Sequence, residues 1–301
     1  MTPIDPRTAR LMRAAGVASV AAASVLIAIK LFAYLETNSV SMLSTLFDSA
    51  LDLGASSVNL FAIRHALTPA DSEHRFGHGK AEPLAGLVQV AFILGSSVLL
   101  LVEVGQHFLH PQAVVRQDLG IAVMVVSIAV TLALILFQRH VVKQTESLAV
   151  HADATHYFSD FLVNISVIAA LILSSSFGWW WIDPLFGLLV ALFIGYTALS
   201  IGKASLDMLM DREMEDADRD RIKEIVRAHP EVVNLHDLRT RVAGQHRFIQ
   251  FHLELAPDIL LKSAHRISDD VEERLMKAFP DAEVIIHQDP YGIDEPRARF
   301  G

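Results

Sequence analysis

Six long apolar stretches alternate with short polar loops over the first two thirds of the chain. They cover residues 14–35, 42–66, 84–107, 119–138, 151–174 and 183–206. A helix needs about 20 mostly apolar residues to cross the hydrocarbon core of a bilayer, so each stretch predicts one membrane-spanning helix. The second and fifth stretches give the weakest signal because both contain acidic residues.

The pattern changes near residue 212. DADRDRIKEIVRAHP predicts an amphipathic helix, and two alternating segments around Ala243-Gly244-Gln245 predict a β-hairpin. SAHRISDDVEERLMKAFP predicts a second helix and AEVIIHQD a third strand. The order α-β-β-α-β favours a small sheet covered on one side by helices. We therefore expect an all-α six-helix membrane domain over 1–211, a soluble α+β domain over 212–290 and a flexible tail over 291–301.

Composition supports a membrane protein, since 52% of the 301 residues are hydrophobic. The chain has no cysteine, so disulfides and thiolate metal ligands are excluded. Positive charges cluster in the loops predicted to be cytoplasmic: Arg7, Arg10, Arg13, Arg64, Arg75, Lys80, Arg139 and Lys143. The positive-inside rule then places both termini in the cytoplasm, and Trp179–Trp181 at the outer interface. The first apolar stretch lacks a cleavage pattern and is interpreted as a retained span rather than a signal peptide.

Two of the predicted spans carry matched pairs of potential metal ligands. Asp48 and Asp52 lie four residues apart in the second span, and His156 and Asp160 lie four apart in the fifth. Residues at this spacing share one helix face. A charged side chain at the bilayer centre costs about 2.5–3.5 kcal/mol, so such residues are functional candidates. Three carboxylates and one imidazole suit Zn²⁺, and less specifically Fe²⁺, Mn²⁺ or Cd²⁺.

A structural explanation of the same acids stays open. They could pair with Lys30 in the first span, or line a shallow vestibule filled with water. Asp153 lies one turn before His156, and a capping or supporting role suits it better than direct ligation.

The polar segments contain two further groups of candidate ligands. PADSEHRFGHGKAEPLA places Asp71, His74 and His78 within eight residues, although loop histidines are often only solvated. In the soluble domain, His236 and His252 fall on neighbouring predicted strands, His265 opens a helix, and His287-Gln288-Asp289 ends the last strand. These ligands would suit a two-zinc site in which Asp289 bridges the ions. His229 and His246 are better explained as ordinary surface histidines.

Taken together, these segments resemble the cation diffusion facilitator family over nearly the whole chain. The likeness rests on the motifs DSALD, HRFGHGKAEPLA, HYFSD, HDLRTR, FIQFHLEL and EVIIHQDP. It implies a ferredoxin-like or metallochaperone-like cytoplasmic domain, and a two-fold homodimer docked through zinc-bound domains.

The family resemblance also implies three metal sites: a transport site, a loop site and a binuclear domain site. Their residues would be Asp48, Asp52, His156 and Asp160; Asp71, His74 and His78; and His236, His252, His265, His287 and Asp289. A salt bridge between Lys80 and Asp211 would join the two domains. Glu73 and His246 are potential ligands that the family pattern does not explain.

These features together favour a proton-coupled antiporter in the bacterial inner membrane. It would export Zn²⁺, with Cd²⁺, Fe²⁺ and Mn²⁺ as further candidates, and hold structural or regulatory Zn²⁺ in its cytoplasmic domain. Protons would compete with the metal for His156, since a free imidazole has a pKa of about 6.5. The rival functions are a membrane-bound zinc sensor and a membrane metalloenzyme, neither of which would transport metal. No nucleotide-binding loop and no basic cluster suited to nucleic acid is present, so partners are expected to be metal ions, protons, lipid and a second copy.

Overall fold

The computed structural model describes residues 4–37, 40–109, 118–177 and 182–292. Its first part consists of long helices, whose bounds are α1 Pro6–Thr37, α2 Val40–Ala66, α3 Ala81–Leu109, α4 Asp118–Thr145, α5 Leu148–Phe177 and α6 Ile182–Leu209. Its second part contains α7 Asp216–Arg227, β1 Asn234–Ala243, β2 His246–Leu255, α8 Leu261–Ala278 and β3 Ala282–Pro290. The predicted fold class, a helical membrane region followed by an α+β domain, is confirmed. Trp179–Trp181 and residues 293–301 of the expected flexible tail lie outside the described residues.

The chain folds as two compact units. The helical unit comprises residues 5–68 and 80–206, and the sheet unit combines residues 69–79 with the chain from residue 207 onward. In the described part of the chain, five helices are long and apolar enough to cross a membrane, namely α1, α2, α3, α4 and α6. Helix α5 has 30 residues but carries two histidines and two aspartates in its first half, as its weak hydropathy signal predicted.

Within the helical unit, α5 is surrounded by other helices. It packs against α4 and α3, and α1 packs against both α2 and α4. Buried Val90 and Ile93 of α3 and Ile194 and Ile201 of α6 form an apolar cluster around Ala152 of α5. The polar face of α5 is therefore held inside the bundle.

The sheet unit contains three strands in the order β1-β2-β3. β1 and β2 form an antiparallel hairpin whose turn contains Gly244 at φ +60°, a conformation that glycine adopts without strain. β3 returns after α8 and pairs parallel to β2. Apolar side chains of β2, including Phe251 and Leu253, pack with Ile222 of α7 and Ile267 of α8 in one buried core. The helices thus cover one face of the sheet and leave the other for polar side chains.

Candidate metal sites

Three groups of His and acidic side chains bring their ligand atoms within 4.8 Å of one another in the described part of the chain. They are Asp52, His156 and Asp160; Asp71, His74 and His78; and His236, His252 and Asp289. Every member of these groups was predicted as a ligand from the sequence. The three groups correspond to the predicted membrane site, loop site and domain site.

In the membrane site, two carboxylates converge on one buried imidazole. Nε2 of His156 lies 3.2 Å from Oδ1 of Asp52 and 3.7 Å from Oδ2 of Asp160. The exposed fraction of these side chains is 4% for His156, 19% for Asp52 and 33% for Asp160. Oδ2 of Asp160 is buried and has no hydrogen-bond partner among the described residues. Because a buried carboxylate oxygen without a partner is unfavourable, this arrangement suits a bound cation.

The other residues predicted around the membrane site take different positions. Asp48 lies one helical turn before Asp52 and is exposed, outside the close group. Lys30 reaches α2 from α1, where its Nζ donates hydrogen bonds to Oγ of Ser49 at 2.7 Å and to the carbonyl of Thr45 at 3.1 Å. Its amine also interacts electrostatically with Asp52 and Asp160 of the site and with Asp48. Ligation by Asp48 therefore stays a prediction, and the amine of Lys30 is held by α2 beside the site.

The loop site is built around Asp71 in the loop between α2 and α3. Oδ1 of Asp71 accepts hydrogen bonds from the backbone N–H of His74 at 2.6 Å and of Glu73 at 2.9 Å. The bond from His74 is the main cause that lowers the pKa of Asp71 below its ordinary value, so this carboxylate is ionised near neutral pH. Oδ2 of Asp71 lies 3.4 Å from Nε2 of buried His78. The site is therefore an acidic turn with two imidazoles beside it.

The loop that carries this site packs on the β-hairpin of the same unit. The ring of Phe76 meets Phe248 edge-on, with 5.9 Å between ring centroids, and the guanidinium of Arg241 covers both rings. Gly79 lies so close to the hairpin turn that a Cβ atom there would be 2.1 Å from the carbonyl oxygen of Ala243. A side chain at position 79 therefore cannot be accommodated without moving the backbone.

The domain site lies on the polar face of the sheet. His236 of β1 pairs in register with His252 of β2, and His252 pairs with His287 of β3, so three histidines form one row across the strands. Alternate residues of a strand face the same side, which places Glu254 and Asp289 beside this row. The strands thus bring five potential ligands together at one end of the sheet.

Asp289 occupies the centre of this cluster and is buried. Its Oδ2 lies 2.8 Å from Nδ1 of His252 and 3.3 Å from Nε2 of His236, whereas its Oδ1 lies 3.1 Å from Nε2 of His287. The two carboxylate oxygens therefore face different histidines. This is the arrangement that a carboxylate bridging two ions requires.

The environment of His236 fits a metal better than a hydrogen-bonded network. Both of its ring nitrogens are buried without a hydrogen-bond partner in the described residues, although Oε1 of Glu254 is 2.9 Å from Nδ1. Imidazole nitrogens and carboxylate oxygens are the ligands that Zn²⁺ takes in cysteine-free sites. Glu254 was not predicted as a ligand, although its spacing of two residues from His252 places it on the same strand face.

His265 was predicted to bind metal and Asp211 to form an ion pair, and each has a charged neighbour within the sheet unit. His265 at the start of α8 is exposed, and its Nδ1 lies 3.6 Å from Oδ1 of Asp269. Asp211 belongs to the sheet unit, where its Oδ1 lies 3.2 Å from a guanidinium nitrogen of Arg241, and Lys80 belongs to the helical unit. Ligation by His265 and pairing of Lys80 with Asp211 stay predictions. The expectation that His229 and His246 are surface histidines is wrong, because both are buried in the sheet unit.

Family models match almost the whole chain. The cation efflux transmembrane domain matches residues 16–210, and the cytoplasmic domain of cation efflux proteins matches residues 214–291. A relative from Shewanella oneidensis, the cation-efflux pump FieF, is 51% identical over 277 residues, which are 92% of this chain and 93% of that protein. The cation-efflux pump FieF of Yersinia pestis is 45% identical over 290 residues, 96% of each chain.

Solved structures match the sheet-containing part of the chain. A chain of the putative zinc transporter CzrB is 33% identical, with a TM-score of 0.26, and covers 26% of this chain and 99% of its own length. The metal-bound C-terminal domain of the CzcD transporter from Thermotoga maritima is 29% identical, with a TM-score of 0.26, over 27% of this chain and 100% of that domain.

Proposed function

This chain belongs to the cation efflux, or cation diffusion facilitator, family, and we propose that it exports divalent metal ions, chiefly Zn²⁺, in exchange for protons. It is a multi-pass protein of the bacterial inner membrane and a transporter rather than an enzyme. The observation that carries the proposal is the buried imidazole of His156 between the carboxylates of Asp52 and Asp160.

The ligand chemistry of this site suits reversible binding. With its ligands deprotonated, the site can take a divalent ion from the cytoplasm, and Asp48 is proposed to complete the set as α2 approaches α5. On the outer side, protons compete for the imidazole and the carboxylates and displace the ion. Each charge that moves down the membrane potential supplies about 2.3 kcal/mol per 100 mV, which can drive this exchange.

The domain site is proposed to hold resident Zn²⁺ rather than cargo. His236, His252 and His287 would hold two ions with Asp289 between them, and His265 would complete the set. When bound, zinc would cross-link the strands and stabilise the docking of two copies. In this way the cytoplasmic metal level would influence the dimer.

The test is metal flux into proteoliposomes under an imposed pH gradient, with Zn²⁺, Cd²⁺, Fe²⁺ and Mn²⁺ measured in parallel. We expect gradient-dependent Zn²⁺ flux in the wild type and none above background in Asp52→Ala. Asp220→Ala is the matched control, since Asp220 is an exposed residue of α7 outside all three sites. Flux that ignores the pH gradient would remove proton coupling from the proposal. Zinc binding without flux in the wild type would favour the sensor.

A further inference from the structure

A buried carboxylate one turn from the membrane site has no part in the exchange described so far. Asp153 of α5 is 1% exposed and lies three residues before His156. Its Oδ2 accepts hydrogen bonds from Oγ of Ser19 and from Nε2 of Gln138 at 2.6 Å, and its Oδ1 accepts one from Nε2 of Gln89 at 3.0 Å. These donors belong to α1, α4 and α3. One carboxylate thus ties α5 to three other helices.

A second set of hydrogen bonds extends the network to α2. Ser56 and the hydroxyl of Tyr157 are 2.8 Å apart, and Tyr157 donates to the backbone carbonyl of Ser19 at 3.2 Å. Nε2 of Gln89 also reaches the carbonyl of Ala55 at 3.4 Å. All these side chains are buried. The network therefore crosses the bundle at one level and joins five helices.

This level lies on the cytoplasmic side of the membrane site. Because α6 leads into the cytoplasmic domain and consecutive spans alternate in direction, α5 begins on the cytoplasmic side. The exposed fraction then increases along α5 away from the cytoplasm. It is 1% for the residue Asp153, 4% for the side chain of His156 and 33% for the side chain of Asp160. The site is thus covered towards the cytoplasm and more accessible away from it.

We propose that Asp153 and its donors form an inner gate that closes the route between the membrane site and the cytoplasm. Asp153 acts as a positioning residue through α5 and does not ligate the metal, since both of its oxygens already accept hydrogen bonds. Opening towards the cytoplasm would break these bonds and let water replace them. The proposal rests on the proposed export function, because a gate has a role only where the site must face both sides in turn.

The composition of the network makes such opening feasible. Three amide oxygens around Asp153 are buried without a hydrogen-bond partner in the described residues, namely Asn59 Oδ1, Gln89 Oε1 and Gln138 Oε1. Each loses its water when the gate closes and regains it on opening. The closed state is therefore opposed by desolvation, and the two states can be close in free energy.

Cysteine labelling from each side of the membrane tests the gate directly. The chain has no native cysteine, so Ala55→Cys, at the level of the network on α2, provides a unique reporter. An impermeant thiol reagent is applied from the cytoplasmic side or from the outer side, in the reporter alone and combined with Gln138→Leu. We expect the labelling rate from the cytoplasmic side to rise about tenfold in the double variant. The reason is that losing one hydrogen bond to a charged acceptor shifts the equilibrium towards the open state by about that factor.

Gln144→Leu is the matched control, because it makes the same change in the same helix outside the network. It should leave labelling unchanged. Ser19→Ala is a second gate variant, which keeps the test decisive if Gln138→Leu fails to fold. Equal labelling in gate and control variants would overturn the proposal, as would an equal rise from both sides, which would indicate a merely structural role.

The apparent KM for flux adds a measurement that does not change when part of the protein is misfolded. A gate that opens more readily to the cytoplasm lowers the apparent KM for cytoplasmic Zn²⁺ and lowers kcat together, whereas misfolding lowers only the apparent kcat. An unchanged KM in both gate variants would contradict the proposal. If the wild type carries no flux while labelling still shifts as expected, export fails but closure of a metal-binding cavity stands. If flux is normal and labelling does not shift, the gate alone fails.

Discussion

The membrane site and the domain site use the same ligand chemistry, imidazole and carboxylate, on different scaffolds. In the membrane, Asp52 and the pair His156 and Asp160 come from two helices, and exposure increases from one end of the site to the other. In the domain, three histidines are held in register across hydrogen-bonded strands around buried Asp289. A helix pair can change its separation without losing backbone hydrogen bonds, but a paired sheet cannot. The difference in scaffold supports the proposal that the membrane site releases metal and the domain site retains it.

The largest expected effect would separate the two sites completely. Asp160→Asn removes one ligand charge from the membrane site, at a cost of roughly 3 kcal/mol in metal affinity, or about a hundredfold. We expect Zn²⁺ flux in proteoliposomes to fall to background, while zinc retained by the domain site is unchanged. Parallel loss of domain zinc, measured by elemental analysis of the purified chain, would show that the sites are not independent.

The reciprocal change should act on assembly more than on flux. His252→Ala removes the central histidine of the row and is expected to lower zinc affinity of the domain site by about 30- to 100-fold. The dimer fraction at low concentration, measured by mass photometry, should fall with it, and flux should fall less than about threefold. A loss of flux as large as that of Asp160→Asn would contradict the assignment of resident zinc to this site.

Glu254 offers a smaller test of how rigidly the domain site is held. Glu254→Gln leaves the size of the side chain but removes the charge beside Nδ1 of His236, and zinc affinity should fall about tenfold. Calorimetric titration of the purified chain measures it. Glu273→Gln on the exposed face of α8 is the control and should bind zinc as the wild type does. No difference between the two variants would leave Glu254 outside the site.

Selectivity should depend on the membrane imidazole. His156→Asp makes the site all-oxygen, which weakens the preference for Zn²⁺ over Cd²⁺, and we expect the ratio of their flux rates to fall about fivefold. Competition flux with both ions in one vesicle population measures this ratio. An unchanged ratio would mean that selectivity is set elsewhere on the path.

The smallest effect concerns a histidine outside all three sites. Burial lowers the pKa of His246, so the folded hairpin binds a proton less readily than the unfolded chain. Below a pH of about 6.5 the unfolded state gains protons first, and the hairpin should lose stability as pH falls. The opening constant of the hairpin, obtained from hydrogen exchange after correction for the intrinsic pH dependence of the amide rate, should rise less than about threefold between pH 7.5 and 5.5. His246→Gln should remove this dependence, and an identical rise in that variant would refute the explanation.

The clustering of His156 and Asp160 in the candidate membrane site could be predicted from the sequence, because their spacing translates directly into one helix face. The hairpin followed from the turn at Gly244, whereas the pairing of His236 with His252 depends on a register shift between His236 and Arg239. The parallel pairing of β3 with β2 could not be predicted, because it depends on how α8 returns the chain. That pairing is what places Glu254 beside Asp289.

The network around Asp153 shows a different limit. Gln89 and Gln138 are isolated amides in apolar helices, and the sequence does not say which of the other helices they face. Their meeting at one carboxylate follows from the packing of α3 and α4 against α5. A polar residue in a span signals a function, but its partners emerge only from tertiary structure.

The contact between Gly79 and the hairpin turn has a consequence for how natural and laboratory alleles are interpreted. The loop and the turn meet as bare backbone, with Gly244 facing the carbonyl oxygen of Gly79. A single added methyl group at either glycine would therefore separate the two segments without replacing any candidate metal ligand. A screen for metal-sensitive bacteria should return such alleles, and their phenotype would resemble ligand loss. Substitution of Gly79 or Gly244 is thus expected to impair the protein as substitution of a candidate ligand histidine does.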